Sequence, residues 1–204
     1  MAFTYHSRAY HKYFEDYAER AVTAPDGKVM IERVYVGNYY RQSLTAPQRI
    51  RRKIMYAVLY ALAAFGMFFA GTRDNAVNAM PVGGVPSVLS LLAVIWLAVP
   101  MFYALTAPTE MTVRIRRLSG EQLMRRSLAT CCVMGAAAMA VASGIWWIPG
   151  TPATPLLLCS ALYLVSGLAA FCIWKLEKSC PYETLPPRHE RAEFATVIKY
   201  EGNF

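Results

Sequence analysis

The stretch Ser127–Ile148, SLATCCVMGAAAMAVASGIWWI, runs for 22 residues without Asp, Glu, Lys, Arg, His, Asn or Gln. Ile54–Ala70, Pro86–Thr106 and Pro155–Trp174 share the property. At about 1.5 Å of rise per residue each is long enough to cross about 30 Å of hydrocarbon, Ile54–Ala70 only just. Inside lipid every backbone amide needs an internal partner, so such runs are helical or belong to a closed barrel. Barrel strands alternate polar and apolar positions, and these runs do not. Core helices of a soluble domain are the remaining alternative, but they keep a charged, wetted face that is missing here. The expected fold is therefore mainly α, a four-transmembrane-helix bundle with spans at 54–70, 86–106, 127–148 and 155–174.

Outward from the spans, the connectors are sorted by charge. Of 21 Lys and Arg residues, only Arg73 falls in the connectors 71–85 and 149–154. The others lie in the N-terminal segment 1–53, the connector 107–126 and the tail 175–204. Lys and Arg are retained on the cytoplasmic side, so those three segments and both termini are expected inside, with a bacterial cytoplasmic membrane as the expected location. The N-terminus lacks the early apolar region of a signal peptide, so the chain is expected to start at or near Met1. Trp146 and Trp147 mark the outer end of the third span and Trp174 the inner end of the fourth. Trp96, in the middle of the second, is expected to pack. The outer connectors are too short to form a receptor for a large extracellular ligand.

The formal charge of +8 and pI of about 9.4 raise the possibility of nucleic acid. The position of the charge points elsewhere. Arg49, Arg51, Arg52 and Lys53 abut the first span, and Arg114, Arg116, Arg117, Arg125 and Arg126 precede the third. Basic clusters beside a span set topology and contact anionic head groups, at about 1 kcal/mol per residue. No nucleic-acid fold signature accompanies them. The expected partners are the anionic bilayer surface and a protein, either another subunit or a second copy, with no nucleic acid.

Association of spans in lipid depends on small residues and occasional polar contacts. Ala136, Ala140 and Gly144 recur at four-residue spacing, with Gly135 and Ala142 nearby, and Ser160, Gly167 and Ala170 offer similar positions in the fourth span. The short turn Pro149–Thr154 makes the last two spans an antiparallel hairpin. Pro100 frees one carbonyl and bends the second span, with no polar residue beside it in the sequence. Leu44-Thr45-Ala46-Pro47 recurs as Leu105-Thr106-Ala107-Pro108, and each copy is followed by Arg-Ile-Arg-Arg; unequal spacing makes chance the simpler reading.

About half the chain is expected in the cytoplasm as a small α/β portion comprising an N-terminal helix, a β-hairpin and a C-terminal strand. Tyr10, Tyr13, Phe14 and Tyr17 share a helix face, opposite Lys12, Glu15 and Glu19. Asp26-Gly27 is a turn signal between Ala21–Ala24 and Lys28–Val36. Met111, Val113 and Ile115 alternate as in a strand, as do Phe194, Thr196, Ile198 and Tyr200, so a small sheet is expected to gather them. Ser119 and Gln122 read as a capping box opening a helix into the third span. Cys180–Pro187 reads as an extended linker.

Catalytic constellations are missing from the sequence pattern. Cys131, Cys132, Cys159 and Cys172 lie within spans, Cys180 follows them, and no C-x-x-C occurs. Cys180, His189, His6 and His11 lack the spacing of a zinc site. No span contains an ionisable residue to couple ion or proton transport. Three histidines outside the spans do not suit an intramembrane protease, and Glu110 and Glu121 are too isolated for lipid-phosphate transfer. A non-enzymatic polytopic membrane protein without cofactor or metal is therefore expected, acting as an accessory or scaffold subunit through its cytoplasmic segments. The alternative is a small passive channel or carrier acting as a homo-oligomer, lined by Ser90, Ser143, Ser160 or Ser166.

Overall fold

The computed structural model describes residues 17–23, 29–73, 78, 80–147 and 152–187. The chain divides into two compact units, one made of 1–41 with 183–204 and the other of Gln42–Tyr182. It is mainly helical, and four helices are long and apolar enough to cross a membrane. The helices are α1 (Ala46–Thr72), α2 (Pro81–Thr106), α3 and α4 (Ala153–Lys178). α3 runs without a break through a helical turn, Val113–Arg116, a π-helical segment, Arg117–Glu121, and the long stretch Gln122–Trp147.

Each helix begins or ends where local chemistry dictates. Before α1, the Thr45 N–H donates to Gln48 Oε1 at 2.9 Å, the reciprocal half of a capping box, and Pro47 sits in the first turn. Past its other end, Asn78 Nδ2 donates to the carbonyls of Ala70 at 3.1 Å and Arg73 at 3.0 Å, taking up acceptors that the helix leaves open. The two Leu-Thr-Ala-Pro copies therefore do opposite jobs: the first opens α1, while the second closes α2 with Thr106 Oγ1 bonded to the Phe102 carbonyl.

Within Gln42–Tyr182, α1 packs on α2, α2 on α3, α3 on α4 and α4 on α1, so the four helices close into a ring. One core cluster joins Met67, Val94, Met134, Val141, Leu156 and Tyr163. A second joins Tyr56, Leu97, Met101, Leu123 and Ile173 at the basal end, where α1 and α3 begin and α2 and α4 end. Small residues set the spacing. A Cβ added at Gly167 would lie 3.2 Å from Met134 Cβ, and Ser160 and Ala170 are buried. In α3 the packed face is Met134, Ala137, Ala138 and Val141; Gly144 is buried, Ala140 half-buried and Ala136 exposed.

Strands β1 (Tyr17–Thr23) and β2 (Val29–Tyr35) form an antiparallel hairpin in the register Tyr17↔Tyr35 to Thr23↔Val29. A three-stranded sheet has the order β4-β3-β5, from Glu110–Thr112, Tyr39–Gln42 and Tyr182–Leu185. The hairpin matches the expected pair, although its Asp26-Gly27 turn lies outside the described residues. Several local expectations are corrected. Tyr17 belongs to β1 and not to a helix face; Tyr10, Tyr13 and Phe14 fall outside the described residues, as does the strand expected around Phe194–Tyr200. Strand pairing stops at Thr112, because Thr112 Oγ1 accepts the Ile115 N–H and starts α3 at Val113. Ser119 therefore caps nothing: it is buried inside α3 with its hydroxyl 3.7 Å from Met111 Sδ. The segment after Cys180 is extended as expected, but Tyr182–Leu185 is a paired strand and not a free linker.

Candidate functional site

The main polar site lies at the basal end and centres on Glu177, one turn beyond the apolar run that ends at Trp174. The last turn of α4 turns this residue inward, leaving it 6% exposed. A buried carboxylate is tolerated only when paired and hydrogen-bonded, and Glu177 is surrounded by donors. Its Oε2 accepts from the Tyr56 hydroxyl at 2.5 Å and faces Arg52 Nη2 at 3.5 Å; its Oε1 accepts from the Tyr182 hydroxyl at 2.5 Å. Arg52 Nε donates to the Tyr56 oxygen at 2.8 Å, Arg52 Nη2 also donates to the Leu176 carbonyl, and Gln42 Nε2 donates to the Tyr182 oxygen at 3.4 Å. Arg52 and Tyr56 can act together because residues four apart share a helix face.

Burial and the adjacent Glu177 carboxylate push the Tyr182 phenol above its ordinary range, so it remains a donor at neutral pH. Burial likewise raises the Cys180 thiol. Gly120, in the π-helical segment, makes room for the carboxylate: a Cβ there would lie 3.0 Å from Glu177 Oε1 and 3.3 Å from the Tyr182 hydroxyl. The Arg116 guanidinium lies over the Tyr182 ring, 5.2 Å from its centre. Both Glu177 oxygens are thus occupied by protein donors, an arrangement that clamps α1 to α4.

Beside this clamp is a cavity of about 260 Å³, lined by Arg49, Arg52, Lys53 and Tyr56 from α1, Ala104 from α2, the connector 107–109, Met111, Ser119, Gln42 and Glu177. Lys53 Nζ donates to the Ala107 carbonyl at 2.9 Å, capping the end of α2. Arg49 is half-buried, and its guanidinium has no hydrogen bond or ion pair among the described residues.

A second polar contact lies farther along the bundle, on an exposed face of α2. Pro100 has no N–H to offer the carbonyl of Trp96, four residues earlier. Arg126 Nη1 donates to that carbonyl at 2.8 Å, its guanidinium lies 4.9 Å from the centre of the Trp96 ring, and Nη2 bonds Gln122 Oε1. Pro100 therefore does have a polar partner, supplied by a neighbouring helix. Thr130 Oγ1 and the Ala93 carbonyl, 3.3 Å apart, continue the same register. α3 begins long before its apolar stretch, so the antiparallel register sets Arg126 level with Trp96, about 15 Å of helix from the end of α2.

The basic residues singled out from the sequence thus separate into groups. Arg52, Lys53, Arg114, Arg116 and Arg126 have partners within the protein; Arg51, Arg117 and Arg125 are exposed; and Arg49 lines the cavity. The hydroxyls proposed for a pore are scattered. Ser143, Ser160 and Ser166 donate to the carbonyls of Ala140, Ala138 and Leu162, while Ser90 is fully buried without a partner among the described residues. All five cysteines are free thiols, and the histidines lie outside the described residues. Glu177, Tyr182 and Gln42 were not anticipated from sequence. Arg52 and Tyr56 carry a visible signal in their four-residue spacing, but nothing local announces the distant carboxylate. Comparison with family models, curated proteins and solved structures finds no match.

Proposed function

We propose that this chain is a non-enzymatic, four-span protein of a bacterial cytoplasmic membrane, with both termini and the connector 107–126 inside. It acts as an accessory or scaffold subunit, contacting a protein partner or further copies through its cytoplasmic segments. The supporting observation is how the bundle uses its surfaces. Phe65, Phe102, Met139 and Leu168 are each at least 59% exposed, an apolar belt that a soluble monomer rarely carries. Inside, Leu97, Met134, Val141 and Leu156 are fully buried, and nearly all the polar groups between the described helices bond to one another or to backbone. A bundle that commits its interior to holding itself together has its cytoplasmic segments left for interaction.

Transfer from membranes into nanodiscs provides the test. The protein is expected to form a defined oligomer or to keep a partner at constant stoichiometry; a bare monomer under every solubilisation condition rejects the scaffold reading. Solute flux in proteoliposomes that stops when Ser143 or Ser160 is replaced by a bulky residue supports the channel alternative instead.

A further inference from the structure

The basal cavity carries more positive charge than the clamp consumes. Arg49, Arg52 and Lys53 face it together with a single carboxylate, Glu177. Arg52 pairs with that carboxylate, and two tyrosine hydroxyls complete its ligation. Lys53 spends one of its three N–H donors on the Ala107 carbonyl, while Arg49 spends none among the described residues. Two uncompensated cations on a partly enclosed recess attract an anion, and a guanidinium and an ammonium one helical turn apart on the same lining suit the oxygens of a phosphate group. Size narrows the ligand. About 260 Å³ is less than the roughly 300–1,000 Å³ of sites that enclose whole small molecules, so the recess suits one head group and not a nucleotide. Ile50, Ala104, Pro108 and Met111 supply apolar walls, which fit the carbon skeleton that carries such a phosphate.

We propose that this recess binds one phosphate-type oxyanion through Arg49 and Lys53, supplied by an anionic phospholipid head group or by a small soluble phosphate ester. The lipid source rests on the membrane reading above; the oxyanion site does not. It differs from diffuse attraction of a basic surface to a bilayer, because named donors and a fixed cavity select one ligand.

The test compares the wild-type protein with Arg49→Gln, Lys53→Gln and a charge-matched control, Arg51→Gln, whose exposed side chain does not line the cavity. Native mass spectrometry after nanodiscs of equal phosphatidylglycerol and phosphatidylcholine reads retained lipid; glycerol 1-phosphate titrated into detergent-solubilised protein reads the soluble source. One phosphatidylglycerol kept preferentially per chain assigns the lipid source, and saturable glycerol-phosphate binding assigns the soluble one. Either signal is expected to weaken about tenfold in Arg49→Gln and Lys53→Gln, to survive in Lys53→Arg and to be unchanged in Arg51→Gln. If the wild type shows neither lipid preference nor saturable phosphate binding, or if Arg51→Gln weakens binding as much as Arg49→Gln, the proposal is overturned. Failure to enter nanodiscs refutes the membrane reading and the lipid source, while the glycerol-phosphate titration still decides the oxyanion site.

Discussion

Glu177 stands between two positively charged neighbours in sequence, Lys175 and Lys178, and looks there like any acid in a polar tail. In the folded chain it accepts from two tyrosine hydroxyls and pairs with an arginine that is itself only 11% exposed along its side chain. Removing one member of such a pair leaves a buried charge without compensation, which costs about 3–5 kcal/mol. Glu177→Ala is therefore expected to lower thermal stability in detergent by that amount, whereas Arg52→Met combined with Glu177→Leu recovers part of the loss. A double variant as unstable as the sum of its parts contradicts the clamp. The site was legible only in halves. The spacing of Arg52 and Tyr56 is visible, but their acceptor lies more than a hundred residues away, and no local pattern encodes so distant a meeting.

At the scale of elements, Pro100 and Arg126 make one unit. Arg126→Leu is expected to destabilise the bundle by about 1–3 kcal/mol, because the Trp96 carbonyl is left without its donor. Pro100→Ala restores an N–H that can take that carbonyl within α2, so the double variant should lose less than Arg126→Leu alone. Melting curves of the three proteins decide it; simple additivity would disprove the coupling. Helix approach makes a second contrast. A Cβ at Gly66 would run into Ser166 Oγ and lie 3.1 Å from the Leu162 carbonyl, whereas one at Gly135 meets nothing within 4 Å. Gly66→Ala is expected to cost about 1–3 kcal/mol by overpacking α1 on α4, and Gly135→Ala to gain about 0.5–1 kcal/mol from helix propensity. Comparable melting temperatures for the two would contradict this packing. The apolar cores of α1, α2, α3 and α4 were readable because a missing charge is unambiguous. The start of α3 was not: Arg114–Arg126 is rich in arginine, which reads as connector, and the β-branched Thr112-Val113 pair reads as strand. The threonine that ends β4 is the residue that caps the helix.

Across the whole molecule, the asymmetric distribution of Lys and Arg is the only guide to orientation, since the helices themselves fit a bilayer either way up. A reporter active only outside the cytoplasm, fused after Phe204, is expected to be silent, and the same reporter inserted in the connector 71–85 to be active. The reverse pattern would invert the proposed topology and place the basal cavity on the other face.

The clamp also ties the timing of synthesis to the finished fold. Arg52 and Tyr56 leave the ribosome early, and their shared acceptor arrives only with the final turn of α4. Until then the first helix lacks the carboxylate that its guanidinium meets in the finished fold, and the basal end of the ring lacks this polar contact. A chain that stops short of Glu177 would thus leave Arg52 and Tyr56 without the acceptor they share.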